Sequence, residues 1–329
     1  MIRSKRLYGL SLLLAAIAAC TGFAARAADA YPTKPITMIV AFPPGGASDV
    51  IGRAVAQKLS ERLGQQVIVD NRAGAGGNMG AKQASLAKND GYTILMGAIT
   101  AHSIAQTLTP ETANYKLDKD FAPISMLGSA PLFLVVNPQL PVKNLKEFIA
   151  LAKQKPGAIS ISSAGIGTTQ HLAAELFMLM TNTQMLHVPY RGSGPAITDL
   201  LGGQINATLE TGPAAMSFIK SGQLRALAIA TKTRSALLPD LPTATEAGLD
   251  GYEVSATYGL LAPAGTPKAI VDKLNGEVKA ILQQPDVMAR LAEQGVVPNY
   301  TTPEQTSEHI RNEVAKWAKV IKAANVKAQ

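Results

Sequence analysis

Two segments of this 329-residue chain share one plan, and that plan restricts the fold more than any other feature of the sequence. Ile39-Val40-Ala41-Phe42-Pro43-Pro44-Gly45-Gly46-Ala47-Ser48-Asp49 and Ile159-Ser160-Ile161-Ser162-Ser163-Ala164-Gly165-Ile166-Gly167-Thr168-Thr169 each run from apolar or β-branched residues into glycines, and then into an amphipathic helical pattern. Strand, glycine loop and helix in that order leave free backbone N–H groups at a helix N-terminus, where the aligned peptide dipoles favour a negative charge. One such loop says little. Two of them, about a hundred residues apart, imply two lobes gripping one anion between them.

The rest of the chain keeps the same alternation, which points to α/β with largely parallel sheets. Strands are expected at 36–42, 66–69, 93–96, 132–136, 159–162 and 226–230. Ile51, Val55 and Leu59 mark one face of a helix that stops near Gly64, and Asn144 caps a helix over 145–155. Leu172, Leu176 and Leu179 line the helix after the second loop. Gly74 to Gly80 form a glycine-rich turn that leads into a helix of the first lobe. Thr243-Ala244-Thr245-Glu246 is a capping box with Gly248 as its stop. Thr266-Pro267 and Thr302-Pro303-Glu304-Gln305 open two further helices. Ile310, Val314, Trp317 and Ile321 give the last of these an apolar stripe suited to core packing. The chain has no low-complexity linker, so crossing strands rather than a tether should join the lobes.

The first residues carry an export signature. Arg3, Lys5 and Arg6 precede an apolar run from Leu10 to Ala19, followed by an Ala25-Arg26-Ala27 cleavage site and a second candidate site at Ala28-Asp29-Ala30. An alternative is that Cys20 closes a lipobox and tethers the mature protein. Cutting after Ala27 leaves 27 basic against 23 acidic residues, a net charge of +4 instead of +8. No dense Lys/Arg run accompanies that excess, so nucleic-acid binding is not expected. Cys20 is the only cysteine, so a chain cut after Ala27 holds neither a disulfide nor a thiolate metal site.

Several segments resemble the substrate-binding proteins of tripartite tricarboxylate transporters, also called Bug proteins. They are Phe42-Pro43-Pro44-Gly45-Gly46-Ala47-Ser48-Asp49, Val69-Asp70-Asn71-Arg72-Ala73-Gly74-Ala75-Gly76-Gly77 and Ser163-Ala164-Gly165-Ile166-Gly167-Thr168, then His187-Val188-Pro189-Tyr190-Arg191-Gly192 and Asp199-Leu200-Leu201-Gly202-Gly203-Gln204. The similarity continues through Leu238-Pro239-Asp240-Leu241-Pro242-Thr243 and Gly259-Leu260-Leu261-Ala262-Pro263-Ala264-Gly265-Thr266-Pro267, in order along the mature chain. The resemblance implies a two-lobe periplasmic-binding-protein fold of the type II, flytrap kind, with the ligand cleft between lobes. A signal peptide over 1–27 would precede a lobe made of 28–128 with 232–329, and 129–231 would form the other. It also implies a monomer that captures a small carboxylate in the periplasm and passes it to inner-membrane permease subunits, without cofactor or metal. Transferred residue by residue, the ligand contacts are Pro44, Gly45, Gly46, Ala47, Ser48 and Asp49 from the first loop and Ser163, Ala164, Gly165, Gly167, Thr168 and Thr169 from the second. Tyr190 and Arg191 join them.

Plainer roles stand beside these. The glycines suit any tight turn, Ser48 and Thr168 suit N-caps, and Asp49 suits a first helical turn better than an anion site, where its charge would repel the ligand. Arg191 offers a charge-assisted bond to a carboxylate. Gly74 and Gly76 begin a dinucleotide fingerprint that fails at Met79. His102, His171, His187 and His309 have no HExxH-type spacing. Ser217-Phe218-Ile219-Lys220 matches the S-x-x-K of serine-lysine acyl-transferases, but Ser48-Asp49-Val50 and Lys232-Thr233-Arg234 break the companion motifs. A receptor that serves a sensor kinase would share the same cleft. Aromatic residues make up only 5% of the chain, leaving few platforms for stacking sugars.

Overall fold

The computed structural model describes residues 31–323 and 325–327; the export signature and Cys20 lie outside the described residues. β1 (Ile36–Val40) pairs in parallel with β2 (Val67–Asn71) on one side and β3 (Thr93–Ala98) on the other. β9 (Ser255–Pro263) continues this sheet antiparallel to β3 and to the first part of β4 (Phe121–Val136), and β10 (Val297–Pro298) closes the edge at Gly128 and Ser129. The second part of β4 belongs to another sheet, between β7 (Ala207–Thr211) and β8 (Arg225–Ile229). There β5 (Ser160–Ser163) runs parallel to β7 and to the edge strand β6 (Leu186–Pro189).

The expected strand at 132–136 is therefore the end of one 16-residue strand that passes through both halves. Pro123, Gly128 and Pro131 interrupt its sequence pattern, and its register slips twice against β9, once between Pro123 and Ser125 and once between Met126 and Gly128. The chain crosses back near the same point. Ala230 N–H donates to Leu132 O, Val254 N–H to Ala230 O and Leu132 N–H to Val254 O. Two crossings side by side make a hinge rather than a flexible joint.

Eleven helices cover the sheets among the described residues: α1 (Ala47–Leu63), α2 (Asn78–Ser85), α3 (Ile99–Leu108), α4 (Pro110–Ala113), α5 (Leu145–Gln154), α6 (Thr169–Thr181), α7 (Ser193–Leu201), α8 (Gly212–Lys220), α9 (Lys268–Leu282), α10 (Pro285–Glu293) and α11 (Pro303–Ala323). Ile51, Val55 and Leu59 of α1 are fully buried, as their spacing requires, and Gly64 ends that helix in the left-handed region. Burying side chains of this size stabilises the fold by about 1.5–3 kcal/mol each. Asn144 caps α5 by accepting from Glu147 N–H, and the Thr302–Gln305 box opens α11. On α11 the stripe is core: Ile310 and Trp317 are buried, and Trp317 Nε1 donates to Glu313, which also accepts from Thr100 on α3.

Two expectations change. The Thr243–Glu246 box forms its reciprocal bonds, but no α-helix follows. Gly248 turns to φ +96° one turn later, and Leu249 N–H closes back on Ala244 O. Ser48 is not an N-cap: Gly46 holds that position and Ser48 lies inside α1.

Candidate functional site

Five helices, α1, α3, α6, α7 and α8, start just beyond the C-terminal ends of β1, β3, β5, β6 and β7. Ligands of open α/β sheets bind outside this strand edge. Here the helix N-termini meet around one inner cavity of about 30 Å³, space for one or two waters. Phe42, Pro43, Gly46, Ala47, Ser48, Ala98 and Ala101 line it from one half; Ala164, Thr169, Gln170, Ser193 and Thr211 face them from the other. Ala256, Thr257 and Tyr258 of the crossing strand β9 close the back. None of these side chains is charged. An outer cavity of about 850 Å³ shares Phe42, Pro43 and Ala164 with it, and Tyr190, Arg191 and the 73–79 turn widen it towards solvent.

The two glycine loops share a plan but not an electrostatic state. In the first, Gly46 provides no side-chain cap, and the Ala47 and Ser48 N–H groups have no partner among the described residues. In the second, most donors are used internally. Thr168 accepts from His171 N–H and donates to Gly165 O, Gly165 N–H reaches Ser163 Oγ, and Gly167 N–H reaches His171 Nδ1. The first loop offers donors; the second offers shape. Further uncapped N-termini make up the difference: α7 begins after Gly192 and α8 after Thr211, neither with a side-chain cap, and Ser193 and Thr211 line the inner cavity. The strand–glycine–helix pattern in Val188-Pro189-Tyr190-Arg191-Gly192-Ser193 is the sequence signal that locates α7, and Thr211-Gly212-Pro213 is its weaker counterpart for α8.

Of the residues expected at the site, Gly46, Ala47, Ser48, Ala164 and Thr169 line the inner cavity, while Gly165, Tyr190 and Arg191 line the outer one. Pro44, Gly45, Asp49, Ser163, Gly167 and Thr168 line neither. Asp49 is a brace. It accepts from Gly45 N–H and Asn71 Nδ2 and pairs with Arg53 at 2.9 Å, and Asn71 in turn holds Phe42 O. Burial raises its pKa, but the bonds from Arg53, Asn71 and Gly45 outweigh that and the net shift is downward. Tyr190 donates a hydrogen bond from its hydroxyl to Asp199 at 2.6 Å, and Arg191 is exposed. Ser217 and Lys220 are exposed on α8 and line neither cavity.

Glu210, which the sequence reading passed over, stands fully buried behind the cavity wall. Its Oε1 accepts from Gln170 Nε2 and from the N–H and hydroxyl of Thr211, while Oε2 is buried without a partner. Burial drives its pKa up from the ordinary carboxyl value and outweighs the bonds from Thr211 and Gln170. Glu210 thereby fixes Gln170 and Thr211, two residues of the cavity lining.

His102 lies behind Phe42, 6.2 Å from it between ring centroids and edge-on to Tyr115 at 5.9 Å. It is fully buried with neither ring nitrogen bonded, and burial pulls its pKa down to about 4. Because the folded pKa lies below the ordinary 6.5, its stabilising contribution is complete above pH 6.5 and is lost as pH falls towards 4. The loss amounts to about 3 kcal/mol at the acid end. Urea unfolding midpoints should fall over that window, and a His102→Leu chain should show a flatter slope. An unchanged slope would mean that His102 is not the group being charged.

An α/β molecule whose helix N-termini meet in a cleft between two hinged halves is a solute-binding protein of the flytrap class. Residues 51–326 match the model of the tripartite tricarboxylate transporter family receptor, and the chain belongs to that family. It is 40% identical to Protein BugT of Bordetella pertussis (strain Tohama I) over 328 residues, 99% of each chain. Among solved structures it is similar to R. palustris Rpa4515 with adipate, at 35% identity and TM-score 0.88, covering 90% of this chain and 99% of that one. It is also similar to MatC from Rhodopseudomonas palustris with bound malate, at 33% identity and TM-score 0.84, covering 88% and 100%. The family is one of extracytoplasmic solute receptors, and no helix among the described residues is long and apolar enough to cross a membrane.

Proposed function

We propose that this protein captures a small carboxylate in the periplasm and delivers it to a permease of the tripartite tricarboxylate type. One lobe would hold 28–128 and the other would begin at 129. The return falls at about 254 and not at 231, because 232–254 packs on the second half through Ala244 N–H to Ile229 O and Tyr252 Oη to Ala173 O. The lobes would close on the ligand about the crossings near 131 and 254. The observation that carries this reading is the meeting of five helix N-termini around a cavity without a single cationic side chain. Dipoles and free N–H groups bind carboxylates without a counter-ion. One carboxylate would sit against the Ala47 and Ser48 N–H groups and the Ser193 hydroxyl, beside the Thr211 side chain that Glu210 holds in place. The rest of a longer acid would extend into the outer cavity towards Arg191. The structures of relatives with adipate and malate support a carboxylate as the ligand class.

A thermal-shift panel tests it. At least one of succinate, malate, adipate, citrate, aspartate and benzoate should raise the melting midpoint, and neutral sugars should not. A shift from a sugar with none from any acid would overturn the reading.

A further inference from the structure

On the flank of the second glycine loop, outside both cavities, three potential metal ligands stand together. His171 and Glu175 are one turn apart on α6, and His187 comes from the adjacent edge strand β6. One ligand atom from each lies within 4.8 Å of the others. We propose that His171, Glu175 and His187 form a binding site for a borderline divalent transition metal ion, Zn²⁺ foremost.

Four features carry this. First, the spacing is close to what the metal needs. His171 Nε2 is 3.6 Å from Glu175 Oε1, and ligands at ordinary zinc distances in a tetrahedron are roughly 3.4 Å apart. The two imidazoles stack with centroids 4.3 Å apart and planes 21° from parallel, so a rotation of the His187 ring is needed to aim both lone pairs at one point. Second, the donor set of two imidazoles and one carboxylate suits zinc and its neighbours and leaves a fourth position for water. Third, the site is supported from behind. Ser163 Oγ lies 2.7 Å from His187 Nε2, which leaves Nδ1 as the coordinating atom, and outer contacts of this kind orient metal-bound histidines. Fourth, no fixed cation neutralises the carboxylate of the cluster. Glu175 is half-buried and pairs with no lysine or arginine among the described residues, so its charge faces only the two imidazoles.

Proton placement follows from the same contacts. His171 Nδ1 accepts from Gly167 N–H at 3.3 Å, so without metal the ring proton sits on Nε2 and faces Glu175. Coordination through Nε2 moves that proton to Nδ1 and opens the contact to Gly167. Sequence patterns did not reveal the site because His171, Glu175 and His187 match no common ligand spacing; the β5–α6–β6 fold alone joins them.

The test uses the full mature chain without a histidine tag. Calorimetric titration with Zn²⁺ should show one ion per chain with micromolar or tighter affinity, and Mg²⁺ and Ca²⁺ should give no heat. Glu175→Gln, at a half-exposed helix position with little effect on folding, should weaken zinc by on the order of tenfold or more. His187→Asn should do the same, while His309→Asn in the other half should leave it unchanged. Circular dichroism confirms that each variant is folded. Absence of saturable zinc binding, or binding that survives Glu175→Gln and His187→Asn together and so marks an adventitious ion only, would overturn the proposal.

Discussion

Replacing Gly76 with alanine is expected to weaken carboxylate binding on the order of a hundredfold, about 3 kcal/mol, while the chain stays folded. Gly76 belongs to the glycine-rich turn of one half, and a Cβ placed on it would lie 2.5 Å from the carbonyl oxygen of Ile166 in the second glycine loop of the other half. Backbone meets backbone there, so no side-chain rotation relieves the contact. The clash exists only when the halves are together; opening removes it. A ligand that contacts both halves stabilises the closed form by the difference between its two sets of contacts, and the added methyl subtracts from that difference. Gly76 also has φ +66°, where alanine costs about 1–2 kcal/mol by itself. Gly64→Ala is the matched control, since Gly64 has the same φ but nothing within 4 Å of its added Cβ. Calorimetry on both chains separates the effects: Gly64→Ala should bind as the parent does. Equal affinities for the parent and Gly76→Ala would mean that this close approach is not part of the bound state.

The second large effect concerns Glu210. Glu210→Ala should lower stability by about 3 kcal/mol or more and remove most of the affinity. Deletion leaves the Gln170 amide and the Thr211 N–H buried without an acceptor, and each orphaned donor costs about 1–3 kcal/mol. Gln170 and Thr211 both line the inner cavity, so their loss of position reaches the ligand directly. Glu210→Gln should behave differently. If the neutral acid is the working form, the amide carbonyl still accepts from the same donors, and stability at neutral pH should stay close to that of the parent. Burial raises the pKa of Glu210, so the parent should lose affinity as rising pH ionises it, since ionisation places a carboxylate behind the bound one. The Gln variant should show no such loss. Urea denaturation at neutral pH and calorimetry over a pH series read both outcomes. A Gln variant as damaged as the Ala variant would indicate that Glu210 acts as an anion instead.

Much of this architecture is legible from residue order. The pattern of Ile51, Val55 and Leu59 with Gly64 defines α1, and the boxes at Asn144 and Thr302 define two helix starts, because each signal acts within a turn or two of chain. The glycine loops are legible for the same reason. The asymmetry between them is not. It depends on His171 and Ser163 folding back onto the second loop, while the first stays open. Ser193, Thr211 and Gln170 were missed because each sits at an ordinary helix start, and only the parallel arrangement of β5, β6 and β7 gathers those starts at one edge. Glu210 looks like any polar residue of a strand; its burial is created by the half that packs around it. Only the 132–136 end of Phe121–Val136 is legible as a strand, because prolines and a glycine break its pattern where the chain passes from one half to the other.

The central claim is that fixed backbone dipoles hold an anion between the halves. The most direct measurement is a calorimetric titration of the mature chain with one acid from the panel that shifts its melting midpoint, set beside the diamide of that same acid. The acid should bind with a dissociation constant in the micromolar range or below, and the diamide, matched in length and shape but uncharged, should be weaker on the order of a hundredfold or give no heat. Equal affinity for the acid and its diamide would contradict the account, because the cleft would then be recognising shape and hydrogen-bonding groups and not charge.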